Sequence, residues 1–301
     1  MFTGATLPLK GFSGSFGLEV QRDCAVAFVG KVPTLLDQRV VPCGKPAHIR
    51  EALAMGGISG VITTAELASQ VPETLGLAIS DSPRVSAMLL HEALVAIPNF
   101  QWEDFPTRVH PTAIVHPSAH IAEQNVVIGE GVVIHPGAIV LARSIIGARS
   151  TIGPGTIVGA DAFEVNAEVS PRAILKQAGG VRIGTDVDVQ SKCTLVRATF
   201  GGFTEIGNET KFDCQVHLAH DCRVGKRVQV AACAEISGRV NIGDDSFIGP
   251  NVSISNGCNI GPRTHVTIGA VVARDVSEGS RVTGHFAVDH RKWLSFMRGF
   301  K

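Results

Sequence analysis

The sequence predicts a mainly β chain: a parallel β-helix of six-residue repeats, preceded by a small α/β domain and followed by a short C-terminal helix. Three observations carry this. Aliphatic or aromatic side chains recur at Ile206, Phe212, Leu218, Val224, Val230, Ile236, Ile242, Ile248, Ile254, Ile260, Val266 and Val272, a period of six without a slip. An earlier run keeps the same spacing at Ile128, Ile134, Val140, Ile146, Ile152 and Val158. The 33 glycines and the absence of tyrosine, beside abundant Val and Ile, fit short strands joined by tight corners. A sandwich of alternating strands would instead show a period of two with turn signals about every 8 to 12 residues.

One hexapeptide cannot bury its aliphatic side chain alone. Three form a triangular coil, and stacked coils bury a continuous core. Small residues follow most of the periodic positions, as in IGNETK, VGKRVQ and IGDDSF, where a bulky side chain would obstruct a corner. The period lapses over EVNAEVSPRAILKQAGG, residues 164 to 180, and again over ATFGGFTE, residues 198 to 205. Both are loop candidates, and loops leaving a solenoid at fixed points often carry its binding surface.

Residues 1 to 105 lack this period and read as the small α/β domain. VAFVG and GVITTAE look like strands, whereas PAHIREALAMGG and SPRVSAMLLHEALVAI space apolar residues as a helix does. The aromatic and proline-bearing stretch NFQWEDFPTRVHP marks the boundary, the β-helix then covers residues 106 to 283, and the tail, residues 284 to 301, holds an amphipathic helix in DHRKWLSFMRGFK.

Composition narrows the function classes. With 27 basic and 27 acidic side chains there is no electrostatic footprint for nucleic acid. Seven cysteines without a CxxC pair read as reduced thiols. Neither a signal segment nor a membrane span is legible, so a cytoplasmic protein is expected.

The stretch QVHLAHDCRVG, residues 215 to 225, holds the chemistry. With three hexapeptides to a coil, residues 18 apart stack, and His220 falls against Gly238. Histidine takes a proton near neutral pH, and a glycine amide offers an unobstructed N–H to a developing oxyanion. Stacked strands lie about 4.8 Å apart, so the two can address opposite ends of one acyl transfer. Metal binding is the competing reading of His217 and His220, but it needs three or more ligands, and only a distant His265 adds to the pair; no metal is expected. His217 reads equally as substrate-facing or as a surface histidine. Asp221, Asp213 and Glu235 are candidates to support the imidazole, and the sequence does not choose among them.

Across residues 106 to about 290 the chain resembles the UDP-3-O-acylglucosamine N-acyltransferases of lipid A biosynthesis, on VGADAFEV, the aperiodic insertion after it, NETKFDCQVHLAHDCRVG, EISGRVNIG and SISNGCNIG. The resemblance implies a left-handed coil and a homotrimer. It implies a nucleotide-linked amino sugar as acceptor and an acyl thioester of acyl carrier protein or coenzyme A as donor, with no bound cofactor. It places the general base on His220, the oxyanion amide on Gly238, and a nucleobase-stacking ring on Phe28. Where that family has an asparagine and a tyrosine after the phenylalanine, this chain has Lys31 and Thr34; Cys258 stands in place of a second active-site histidine, and His217 in place of a glutamine. His217, Cys258, Phe28 and Lys31 are therefore the expected substrate-binding positions. Cys258 also reads as a small buried hydrophobe. The AHDC stretch is similar as well to the EHDC of acetyl-CoA-dependent N-acetyltransferases of nucleotide-linked 4-amino sugars. A scaffold that binds a sugar nucleotide without catalysis is the non-enzymatic alternative.

Overall fold

In successive hexapeptides of the coil one residue takes the left-handed backbone conformation: Gln215, Asp221, Arg227, Cys233, Arg239, Asp245 and Asn251 have φ between 52° and 63°. These are the corners, and most are not glycine. The small residues that the sequence places after the aliphatic positions serve a different purpose. A β-carbon on Gly225 would lie 2.7 Å from the backbone nitrogen of Asp244 on the next coil, so stacking distance is what excludes a side chain there.

The computed structural model describes residues 1–30, 36–166, 172–284 and 287–299. From Arg108 onward three parallel sheets of eight, eight and nine short strands form the faces of the coil. On one face His217 pairs with Glu235 and Leu218 with Ile236, then Glu235 with Ser253, a register of 18 residues. The periodic positions point inward: Ile206, Phe212, Leu218, Val224, Val230 and Ile236 all lie in one buried cluster that runs the length of the coil. Each such side chain contributes roughly 1.5–3 kcal/mol on leaving water.

The two aperiodic segments leave the coil where expected. Thr194 pairs back to Ile157, 37 residues away, and forward to His217, 23 away, instead of 18. The first insertion is not purely loop, since Val165–Asn166 and Ala173–Ile174 form an antiparallel pair within it.

The preceding residues build a five-stranded sheet in the order Glu19–Arg22, Gly76–Ile79, Ile58–Thr63, Arg39–Cys43, Phe28–Val29, parallel except for its first strand. Helices α1 (Pro46–Met55) and α2 (Pro83–Val95) each open on a proline, whose missing N–H costs nothing in the first turn. Alternate strand residues face opposite sides. Val40, Ile62 and Ala78 pack with Leu90 and Leu94 of α2, and Val41, Val61 and Leu77 with Ile49 and Ala52 of α1.

Both insertions clasp this sheet domain. His91 of α2 donates from Nε2 to the Lys176 carbonyl at 2.8 Å, and Glu92 accepts from the Lys176 N–H at 2.6 Å. From the second insertion, Phe200 packs edge-on to His91 at 4.9 Å and Phe203 against Phe2 at 5.4 Å. Helix α3 (His290–Arg298) is capped by Asp289 and buries no residue. Among the described residues no helix is long and apolar enough to cross a membrane.

Candidate active site

Asp221 occupies a corner, with φ 59°, and its side chain is fully buried. The second insertion holds it there: its N–H donates to Thr204 Oγ1 at 2.9 Å, and Oδ2 accepts from the Thr199 N–H at 3.3 Å. The same Oδ2 lies 2.8 Å from Nδ1 of His220. A carboxylate only accepts, so Nδ1 carries the proton and Nε2 presents a bare lone pair. The His220 side chain is 12% exposed, enough to reach a ligand and too little to rotate freely.

Gly238 lies one coil on, at the spacing of 18 expected. A β-carbon there would sit 2.6 Å from His220 Nε2 and 3.0 Å from Asn256 Nδ2, so the imidazole occupies space that only glycine leaves open. Among the described residues the Gly238 N–H has no hydrogen-bond partner.

Opposite Nε2 stands a carboxylate that the sequence reading did not single out. Glu164 Oε2, from the first insertion, is 3.9 Å from Nε2. Arg239 at 3.7 Å and Arg84 at 3.9 Å lie beside the same carboxylate, one from the corner after Gly238 and the other from α2. All three line a cavity of about 530 Å³ between the sheet domain and the coil, with His48, Met88 and Phe200 among its walls. Its volume falls in the range of small-molecule sites, about 300–1,000 Å³. The only sequence signal for Glu164 was its position at the start of an aperiodic segment.

The other expected positions that the structure describes have surroundings of their own. His217 is half-exposed and faces Glu235, with Nε2 3.9 Å from Oε1. Asp213 turns back to accept from the Cys214 N–H at 2.7 Å. Of the three candidate carboxylates, then, Asp221 alone supports the His220 ring. Cys258 is 5% exposed and belongs to the coil core, and burial raises its thiol pKa. The aliphatic interior takes the sulfur as one more apolar atom, as the reading of Cys258 as a small buried hydrophobe has it. Cys222, in the AHDC stretch, is likewise interior, its thiol pushed up to about 12 by burial. Phe28 is 4% exposed, edge-on to Phe2 at 5.7 Å and pressed against Gly201. Lys31 and Thr34 lie outside the described residues. Among those described, no group of three or more His, Cys, Asp or Glu is placed to hold a metal ion.

Comparison with known proteins places residues 125–160 in the bacterial transferase hexapeptide (six repeats) family model. The UDP-3-O-acylglucosamine N-acyltransferase of Myxococcus xanthus is 49% identical over 144 residues, 46% of this chain and 41% of its own length. That of Leptospira biflexa is 40% identical over 80 residues, 27% of this chain and 22% of its own. This chain thus spans less than half the length of either curated relative. A solved UDP-N-acetylglucosamine acyltransferase from Campylobacter jejuni is 22% identical, with a TM-score of 0.48 over 64% of this chain and 83% of that one.

Proposed function

We propose that the protein is an N-acyltransferase that moves an acyl group from a pantetheine thioester, on acyl carrier protein or coenzyme A, to the amine of a nucleotide-linked amino sugar. The observation that carries this reading is His220, whose ring is oriented by Asp221 and whose Nε2 packs against Gly238, a residue whose N–H has no partner among the described residues. The partial matches to enzymes named UDP-3-O-acylglucosamine N-acyltransferase support the same chemistry.

In this mechanism the amine nitrogen attacks the thioester carbonyl carbon while Nε2 takes a proton from it. The Gly238 N–H stabilises the oxyanion of the tetrahedral intermediate. On collapse the C–S bond breaks, and His220 returns the proton to the departing sulfur. Asp221 stabilises the imidazolium that exists between those two steps. The cavity beside Glu164 receives part of the acceptor. The active assembly is a homotrimer in which the acceptor lies between neighbouring coils, and the enzyme works in the cytoplasm.

The test is acyl transfer from acyl carrier protein and coenzyme A thioesters to UDP- and GDP-linked amino sugars, with His220→Ala beside the wild type. We expect transfer by the wild type and a loss of roughly 10²–10⁴-fold in the variant, its coil intact. Use of acetyl-CoA alone would reassign the donor. Undiminished turnover in His220→Ala, or no transfer to any acceptor by a folded protein, overturns the proposal.

A further inference from the structure

Nε2 of His220 and Oε2 of Glu164 face each other at 3.9 Å, with side chains only 12% and 17% exposed. In the neutral form that a base requires, with Nδ1 donating to Asp221, both of the facing atoms are acceptors. In that form, a donor with two hydrogens placed between the two acceptors satisfies both. The gap fits one: a nitrogen about 2.9 Å from each atom makes an ordinary hydrogen bond to both.

The geometry points to Glu164 as the residue that selects an amine over a hydroxyl in the acceptor. This rests on the reading of His220 as the base of an acyl transfer. A primary amine has two N–H groups and one lone pair. With one hydrogen on Nε2 and the other on Glu164, the lone pair is left for the thioester carbonyl. The Nε2-bound proton is the one transferred, while the Glu164-bound hydrogen stays on nitrogen and becomes the N–H of the product amide. A hydroxyl in the same place has one hydrogen. Given to Nε2, it turns an oxygen lone pair toward the Glu164 carboxylate; given to Glu164, it leaves the base nothing to remove. Amines are therefore retained and alcohols rejected by one side chain.

Glu164 is placed for this by three separate parts of the chain. It enters from the first insertion, Arg239 reaches it from a coil corner with φ 63°, and Arg84 reaches it from α2. Two guanidinium groups thus stand beside the carboxylate, at 3.7 and 3.9 Å. Glu164 is thus a specificity-determining contact to the nucleophile, distinct from His220, which accepts the proton, and from Asp221, which orients the base.

The experiment compares the wild type, Glu164→Gln, Glu164→Ala and His220→Ala on two acceptors that differ only in carrying an amine or a hydroxyl at the acylated carbon, with one thioester donor. We expect the wild type to favour the amine and His220→Ala to lose both activities. Glu164→Ala should lower kcat/KM on the amine while leaving or raising that on the alcohol, so that the ratio of the two falls by about 10²-fold, the scale of one unmatched polar contact to a buried charge. Glu164→Gln, whose amide can donate to a hydroxyl oxygen, should lower the ratio further. A ratio unchanged in both Glu164 variants, with both rates falling together, would show a merely structural residue and overturn the assignment. Wild-type protein that acylates neither acceptor overturns the acyl-transfer reading itself, and this assignment with it.

Discussion

The Nδ1 atom of His220 and the Oδ2 atom of Asp221 are 2.8 Å apart, and that contact sets which ring nitrogen is free for chemistry. The aspartate is buried, sits at a left-handed corner and is tied by Thr199 and Thr204 of the second insertion. Asparagine tolerates the same backbone conformation, so Asp221→Asn should leave the coil intact. Its amide oxygen can keep accepting from the Thr199 N–H and from Nδ1, but it carries no charge to stabilise the imidazolium. We expect kcat to fall by roughly 10²–10⁴-fold, with the melting temperature little changed. Steady-state kinetics beside a thermal melt check this, and full activity in the variant removes Asp221 from the mechanism.

Gly238 separates a steric requirement from an electronic one. Alanine keeps the backbone N–H but adds a carbon 2.6 Å from Nε2, and the ring cannot yield without stretching its bond to Asp221. A displacement of about an ångström costs turnover on the order of 10²-fold. Gly238→Ala should therefore lose kcat although no donor has been removed. A crystal structure of the variant would show whether the imidazole has turned from Asp221.

His91 makes stability depend on pH. It is fully buried, donates from Nε2 to Lys176, and has no partner for Nδ1 among the described residues. Burial lowers its pKa below the ordinary 6.5. The unfolded chain binds a proton at a higher pH than the folded one does, so the contribution of neutral His91 is complete above pH 6.5 and is lost as the pH falls below it. His91→Gln keeps a donor for the Lys176 carbonyl and cannot titrate. Melting temperature against pH should be flatter for the variant below that value; parallel curves would contradict the assignment.

Cys258 belongs to the coil interior, so Cys258→Ala should behave as a core truncation. A loss of about 1 kcal/mol or somewhat more is expected, with kcat and KM unchanged. Denaturation and steady-state kinetics on the same preparation decide it, and a selective rise in KM would restore Cys258 to the substrate site.

The period of six by itself determined the stacked coil and its inward aliphatic series, because repetition at fixed spacing admits few ways to bury one apolar residue per hexapeptide. From the same period followed the meeting of His220 and Gly238, since a register of 18 is arithmetic on the repeat. Tertiary structure decided whatever depends on the direction a side chain leaves a corner or on where an aperiodic segment returns. Asp213, Asp221 and Glu235 were equivalent in the sequence; the left-handed corner at 221 and the Thr199–Thr204 clamp made Asp221 the partner. Glu164 had no periodic position from which its neighbour could be reckoned, and only the folding back of the first insertion brought it before Nε2. Phe28 and Cys258 turned inward because packing against Gly201 and the coil core keeps their apolar surface from water. Spacing along a repeat is a local property, whereas the approach of Glu164 to His220 exists only once separate segments have been packed together.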